Sequence, residues 1–157
     1  MLLFAAVWLV LIVQQDNSPA PAHDMHSGMN DRGEKGMGFS QTTTTHHFLL
    51  SPTGGAIQVE ANDPNDKNSR DSIRMHLHHI QHAFQIGDFN IPMFVHDTVP
   101  PGVSVMKDRA KNIHYSTIDT PKGGKVLIQT TDQAAIDAIH RFLRFQITEH
   151  KTGDPLN

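Results

Sequence analysis

A Pro-x-Gly-Gly step occurs twice, as "SPTGG" (Ser51–Gly55) and "TPKGG" (Thr120–Gly124), and it constrains the fold more than any other feature. Proline presets φ for a turn, and the glycines after it accept positive φ, which is hairpin chemistry. Short β-type runs flank both steps, in "THHFLLSPTGGAIQVEAND" and "NIHYSTIDTPKGGKVLIQTTD". Helical periodicity follows each, over roughly Ser72–Gln85 and Gln133–Glu149. Superposing the turns pairs Ile57 with Val126 and Val59 with Ile128. Superposing the helices sets Ile73, Leu77, Ile80 and Phe84 against Ile136, His140, Leu143 and Ile147. The chain reads as a ββα unit written twice, at 42–86 and 112–150. The expected fold is α+β, a four-stranded antiparallel sheet with two helices packed on one face. Strand order does not follow from the pattern.

The copies are joined by residues 87–111, which include "GDFNIPMFVHDTVPPGVSVM". Three prolines argue against regular structure there, while the Ile, Phe, Val and Met content argues against a solvated loop. A segment that packs back over the core is expected, closing a site with His96 or simply capping apolar side chains.

The N-terminal run "LLFAAVWLVLIV" (Leu2–Val13) holds twelve apolar residues, short of the about 20 that span a bilayer. It fits the apolar part of a secretory signal, although no Lys or Arg precedes it. Ala20 and Ala22 offer a small-residue cleavage site, so 1–22 is assigned as signal peptide. Residues 23–40 are Gly-rich and aperiodic and are expected to form a flexible arm. Residues 41–157 are left as a single domain. A periplasmic or secreted protein follows, without a membrane span in its mature form.

Composition bears on chemistry. There are 12 His and 7 Met but no Cys, so a metal site must draw on His, Met, Asp or Glu. Covalent haem attachment through a CxxCH motif is excluded. A formal net charge of −3 gives no reason to expect a nucleic-acid partner. No HExxH, GxSxG or P-loop is present.

The histidines sort by face. In "MHLHHIQHAF" (Met75–Phe84), Leu77, Ile80 and Phe84 claim the core face with Ile73. His76 borders that face, while Met75, His79 and His82 form a neighbouring stripe and His78 lies further round. His140 falls among Ile136, Leu143 and Ile147, and His150 lies near the same face at the helix end. A buried imidazole without a partner costs on the order of 1–3 kcal/mol, so His140 should meet an acceptor or a metal. Strand alternation puts His46, equivalent to Tyr115, on the side of the helices. His46, His76, His79 and His140 are thus candidate ligands of a core site, with His96 supplied from the joining segment. The arm offers His23, Met25, His26 and Met29, soft and borderline donors that suit copper.

The stretches "TTHHFLLSPTGGAIQVEANDP", "GDFNIPMFVH" with "PPGV", and above all "AIHRFLRFQITEHKTGDP" resemble a family of small exported bacterial proteins. The likeness covers nearly everything from Gly38 onward. Some members of that family are labelled aspartate carbamoyltransferase. This sequence does not support that label, because that enzyme is far longer, with paired α/β domains and a Ser-Thr-Arg-Thr phosphate motif. The resemblance implies export and one compact domain, and it brings no catalytic residues.

The expected partner is a metal ion, copper first, or another small ligand. Haem b held without covalent bonds is the first alternative, with His140 or His76 as an axial ligand. An enzyme with a histidine general base and a partner-binding domain without metal are the others. Homodimer formation stays open.

Overall fold

Both Pro-x-Gly-Gly steps form two-residue turns in the computed structural model, which describes residues 25–157. Pro52 and Thr53 connect β1 (Thr44–Ser51) to β2 (Gly54–Ala61). Pro121 and Lys122 connect β3 (His114–Thr120) to β4 (Gly123–Gln129). The four strands form one antiparallel sheet in the order β1-β2-β4-β3, completing an α+β fold. The second strands of the two hairpins therefore meet at the centre. There Ile57 lies directly opposite Val126, its equivalent in the other copy, so a pseudo-two-fold axis passes between them.

That seam explains the paired glycines better than turn chemistry does. A Cβ on Gly54 would collide with the carbonyl of Ile128, and one on Gly123 with the carbonyl of Val59. Gly54 also has a φ of +136°, which an L side chain rarely adopts. Each hairpin needs glycine where the other hairpin's backbone crosses it.

Among the described residues, five α-helices accompany the sheet: α1 (Met25–Met37), α2 (Lys67–Gln85), α3 (Asn90–His96), α4 (Val103–Asp108) and α5 (Gln133–His150). The helices exchange partners. α2 follows the first hairpin but packs chiefly on β3 and β4, whereas α5 follows the second hairpin and packs on β1 and β2. The core fills the space between them, with Val59, Val126 and Ile128 from the sheet, Ile73 and Leu77 from α2, and Phe142 and Leu143 from α5. Each such side chain contributes about 1.5–3 kcal/mol when fully buried.

Three expectations change. α2 begins at Lys67 rather than near Ser72, because Asp66 caps it by accepting from the Ser69 N–H at 3.0 Å. Residues 87–111 are not irregular: they hold α3, α4 and a 3-10 turn at Ala110–Asn112. Pro92 fits inside α3 because it occupies the first turn, where the missing N–H costs no helical bond. The expected flexible arm at 23–40 is helical from Met25 to Met37. α1 packs against α3, with Met29 buried and the Arg32 Nε–H donating to the Val95 carbonyl at 3.0 Å. These contacts offset the low helix propensity of its three glycines, Gly28, Gly33 and Gly36. The proposed signal peptide and His23 lie outside the described residues.

Side chains cap both free edges of the sheet. On β3, Gln85 receives the Tyr115 N–H at 3.1 Å and donates to the Ile113 carbonyl at 3.1 Å, while Gln81 donates to the Tyr115 carbonyl at 3.2 Å. On β1, Asp154 receives the Phe48 N–H and a hydrogen bond from the His47 ring, both at 2.9 Å. Burial pushes the Asp154 carboxyl up, but hydrogen bonds from Thr152, Phe48 and His47 outweigh it and hold it below the usual range.

The seam and α1 predict opposite outcomes for two glycine substitutions. Gly123→Ala is expected to destabilise the protein by about 2–3 kcal/mol, since a main-chain carbonyl must move. Gly36→Ala places a Cβ at an ordinary 3.5 Å from Val95 and should stabilise by up to about 1 kcal/mol. Urea unfolding of the two variants measures both, and equal effects would contradict the seam argument.

Candidate functional site

Four histidines from four elements line one cavity between sheet and helices. His46 reaches it from β1, where pairing with Val59 turns it to the helix side. His76 comes from α2, His96 from the last position of α3 and His150 from the last position of α5. The cavity has a volume of about 70 Å³, and most of its wall is apolar, including Ile57, Leu77, Phe84 and Phe142.

The rings are close. His46 and His150 lie nearly parallel, their centres 5.6 Å apart, and His96 meets His150 edge-on at 5.1 Å. Phe39, buried just before β1, stacks on His46 at 6.0 Å and meets His76 edge-on at 5.6 Å. Phe48 packs on His150 at 5.4 Å.

Hydrogen bonding fixes one tautomer and leaves other nitrogens unmatched. Gln146, buried on α5, holds its Oε1 2.8 Å from His96 Nε2. As the amide is placed, Nε2–H donates, and Nδ1 is left as a lone-pair acceptor. That Nδ1 is buried without a hydrogen-bond partner, as are Gln146 Nε2 and His46 Nε2.

The surroundings favour neutral rings. Burial, with repulsion from His47, lowers His46 from 6.5 to about 4. Burial, with His46 and His79, lowers His76 to about 4. Burial, with His46 and His96, lowers His150 to about 3. His96 is also lowered, chiefly by burial; Arg32 adds to the shift, while the Gln146 hydrogen bond and Glu149 oppose it. At neutral pH all four rings present lone pairs, the form that ligates metals.

Of the expected core-site residues, His46, His76 and His96 are brought together. His79 is exposed on the outer side of α2 and does not line the cavity. His140 also lies outside it, half-buried, with its Nε2 2.9 Å from the Ser51 carbonyl. The cavity-facing residues of α5 are Phe142, Gln146 and His150, so the inward stripe is rotated from the one drawn through His140. The sequence pattern puts His150 near the inner face but not among the candidate ligands. Its spacing of four from Gln146 and eight from Phe142 is the signal that would have found it. Met37, at the end of α1, also lines the cavity. Of the arm residues, Met29 is buried in the α1 packing, and the side chains of Met25 and His26, like all of His23, lie outside the described set.

Among the described residues, no three His, Asp or Glu side chains surround a common metal position. No helix among them is long and apolar enough to cross a membrane. No protein-family model, curated protein or solved structure matches the chain.

Burial of these rings links stability to pH. An unfolded histidine titrates near 6.5, so below that value the unfolded chain binds protons that the folded cluster refuses. The stabilisation from the neutral cluster is complete above pH 6.5 and is lost as pH falls through 6.5 toward 4 and 3. Each ring contributes up to about 1.4 kcal/mol per pH unit in that window. With chelator present, the urea midpoint should fall steeply from pH 6.5 to 4. His150→Phe should flatten that fall, and an unchanged slope would refute the coupling.

Proposed function

We propose that the protein is an exported metal-binding protein in which His46, His96 and His150 ligate one transition-metal ion, copper first, with His76 beside them. The observation that carries this reading is the pair of buried, unpartnered nitrogens, His46 Nε2 and His96 Nδ1, in a cluster of neutral rings. Leaving such an atom unsatisfied costs about 1–3 kcal/mol, and a bound ion removes that cost. Two imidazoles sharing one ion at about 2 Å per nitrogen have ring centres on the order of 5–6 Å apart, the spacing found here. Ring rotations about χ1 and χ2 are needed to aim the lone pairs at one point.

The donor chemistry selects the class of ion. Neutral imidazoles suit copper, zinc and nickel, and the absence of cysteine removes thiolate competition. The apolar run Leu2–Val13 and the Ala20/Ala22 site support export to the periplasm. The same reading makes the chain a member of the exported family that its motifs resemble. His23, Met25 and His26 would assist capture ahead of the core site. Among the described residues, the cavity wall holds no Ser, Thr, Asp or Glu beside the histidines.

Copper titration of the protein, followed by elemental analysis after dialysis, tests this. In a background lacking His23, Met25 and His26, one ion per chain is expected at the core site. His46→Phe and His150→Phe should each weaken binding by about tenfold or more, while His79→Ala should leave it within about twofold. Loss of binding in His79→Ala, or its survival in both phenylalanine variants, would remove the core site from consideration.

A further inference from the structure

His96 and Gln146 leave a matched pair of polar groups in the cavity wall. Gln146 is only 4% exposed, and its amide oxygen lies 2.8 Å from His96 Nε2. With the amide in this sense, His96 donates through Nε2–H. His96 Nδ1 is then an acceptor and the Gln146 Nε2–H groups are donors, and both atoms are buried without a hydrogen-bond partner. With the amide turned over, the imidazole accepts at Nε2 instead. The leftover groups become a Gln146 oxygen acceptor and a His96 Nδ1–H donor. In either sense the pair keeps one unmatched donor and one unmatched acceptor.

That balance discriminates among polar groups. A carboxylate only accepts and an ammonium only donates, so each leaves one of the two unmatched. A hydroxyl does both. The rest of the wall is mostly apolar, with Ile57, Leu77, Ile80, Phe84 and Phe142 around the same space. An apolar cleft with a few buried polar groups is the usual form of a small-molecule site. The cleft is half open, so a body longer than its inner space can extend toward solvent. Its lining of Phe48, Phe84 and Phe142 suits an aromatic body, since rings pack edge-to-face or offset against one another.

We propose that the metal-free cavity binds a small neutral hydroxyl compound with an apolar body, a phenol first, whose hydroxyl exchanges hydrogen bonds with Gln146 and His96. Small side-chain rotations bring the two buried groups to the hydroxyl, while Leu77, Phe84 and Phe142 take up the ring. This goes beyond the metal-binding reading and does not require it. The two ligands compete, because both use His96.

NMR titration of the protein in the presence of chelator, with p-cresol, toluene and benzoate as probes, tests the inference. Toluene keeps the ring and lacks the hydroxyl, and benzoate replaces the hydroxyl with an acceptor-only anion. p-Cresol is expected to bind with one equivalent per chain, at least about tenfold more tightly than either. The Gln146 side-chain amide resonances should shift as p-cresol saturates the site, a readout on the native protein. Gln146→Met, a swap of similar volume, should leave toluene within about twofold and bring p-cresol down to the toluene value. That loss of preference is not what simple loosening of the core produces, because loosening would move both probes together. Toluene or benzoate binding as tightly as p-cresol, a Gln146 amide unmoved at saturation, or a preference that survives Gln146→Met overturns the proposal. Failure of all three probes to bind also overturns it, and none of these results bears on copper binding, which is measured separately.

Discussion

The β2–β4 seam is the contact on which the rest of the structure depends. Gly54 and Gly123 let each hairpin's backbone run against a carbonyl of the other, and Ile57 meets Val126 on the pseudo-two-fold axis. With the hairpins joined there, α2 covers the second hairpin and α5 the first. Neither ββα half can bury its own apolar helix face on its own strands alone, so the duplication is an interlocked pair rather than two small domains. The cavity exists because of that exchange, since it lies where residues of α2 and α5 meet over β1 and β2.

Holding four half-buried imidazoles against such a core is expensive, and the fold meets the cost unevenly. Of the four rings that line the cavity, His96 is held by Gln146, itself buried. His46 and His150 have aromatic neighbours, with Phe39 and Phe48 against their faces, and His46 Nε2 has no hydrogen-bond partner. Ring packing keeps water away and depresses protonation, but it satisfies no nitrogen lone pair. The contrast with Tyr115 is instructive. It is the repeat equivalent of His46, is buried to 2% exposure, and extends the same core on the far side of the axis without any imidazole cluster.

The edges of the sheet show the opposite economy. Gln81 and Gln85 on α2 and Asp154 after α5 take up exposed main-chain groups of β3 and β1. Unpaired edge strands invite pairing with other chains, and these side chains blunt both sides. Asp154 also receives His47, so the strand's two adjacent histidines divide between an edge clamp outside and the cavity inside.

Much of this was readable in the residues, for identifiable reasons. Period-two alternation is rigid, so the turn positions, strand pairs and inward face of His46 followed from sequence alone, as did the duplication and the α+β class. His76 at the border of its helix face and His96 in a segment folded over the core were also legible. Helical rotation was not. A stripe drawn through Ile136, His140, Leu143 and Ile147 differs by only a fraction of a turn from one centred on Ile139, Phe142 and Gln146, and apolar residues occupy both. Only docking against β1 and β2 selects between them, turning His150 inward and His140 to its Ser51 acceptor. The helix in the Gly-rich N-terminal segment was equally beyond local propensity, because α3 supplies the contacts that hold it. Sequence alone determined which residues could form strands and which donors the chain possesses. Tertiary structure decided which histidines share a cavity, because that depends on helix rotation and strand order, set by packing between segments far apart in the chain.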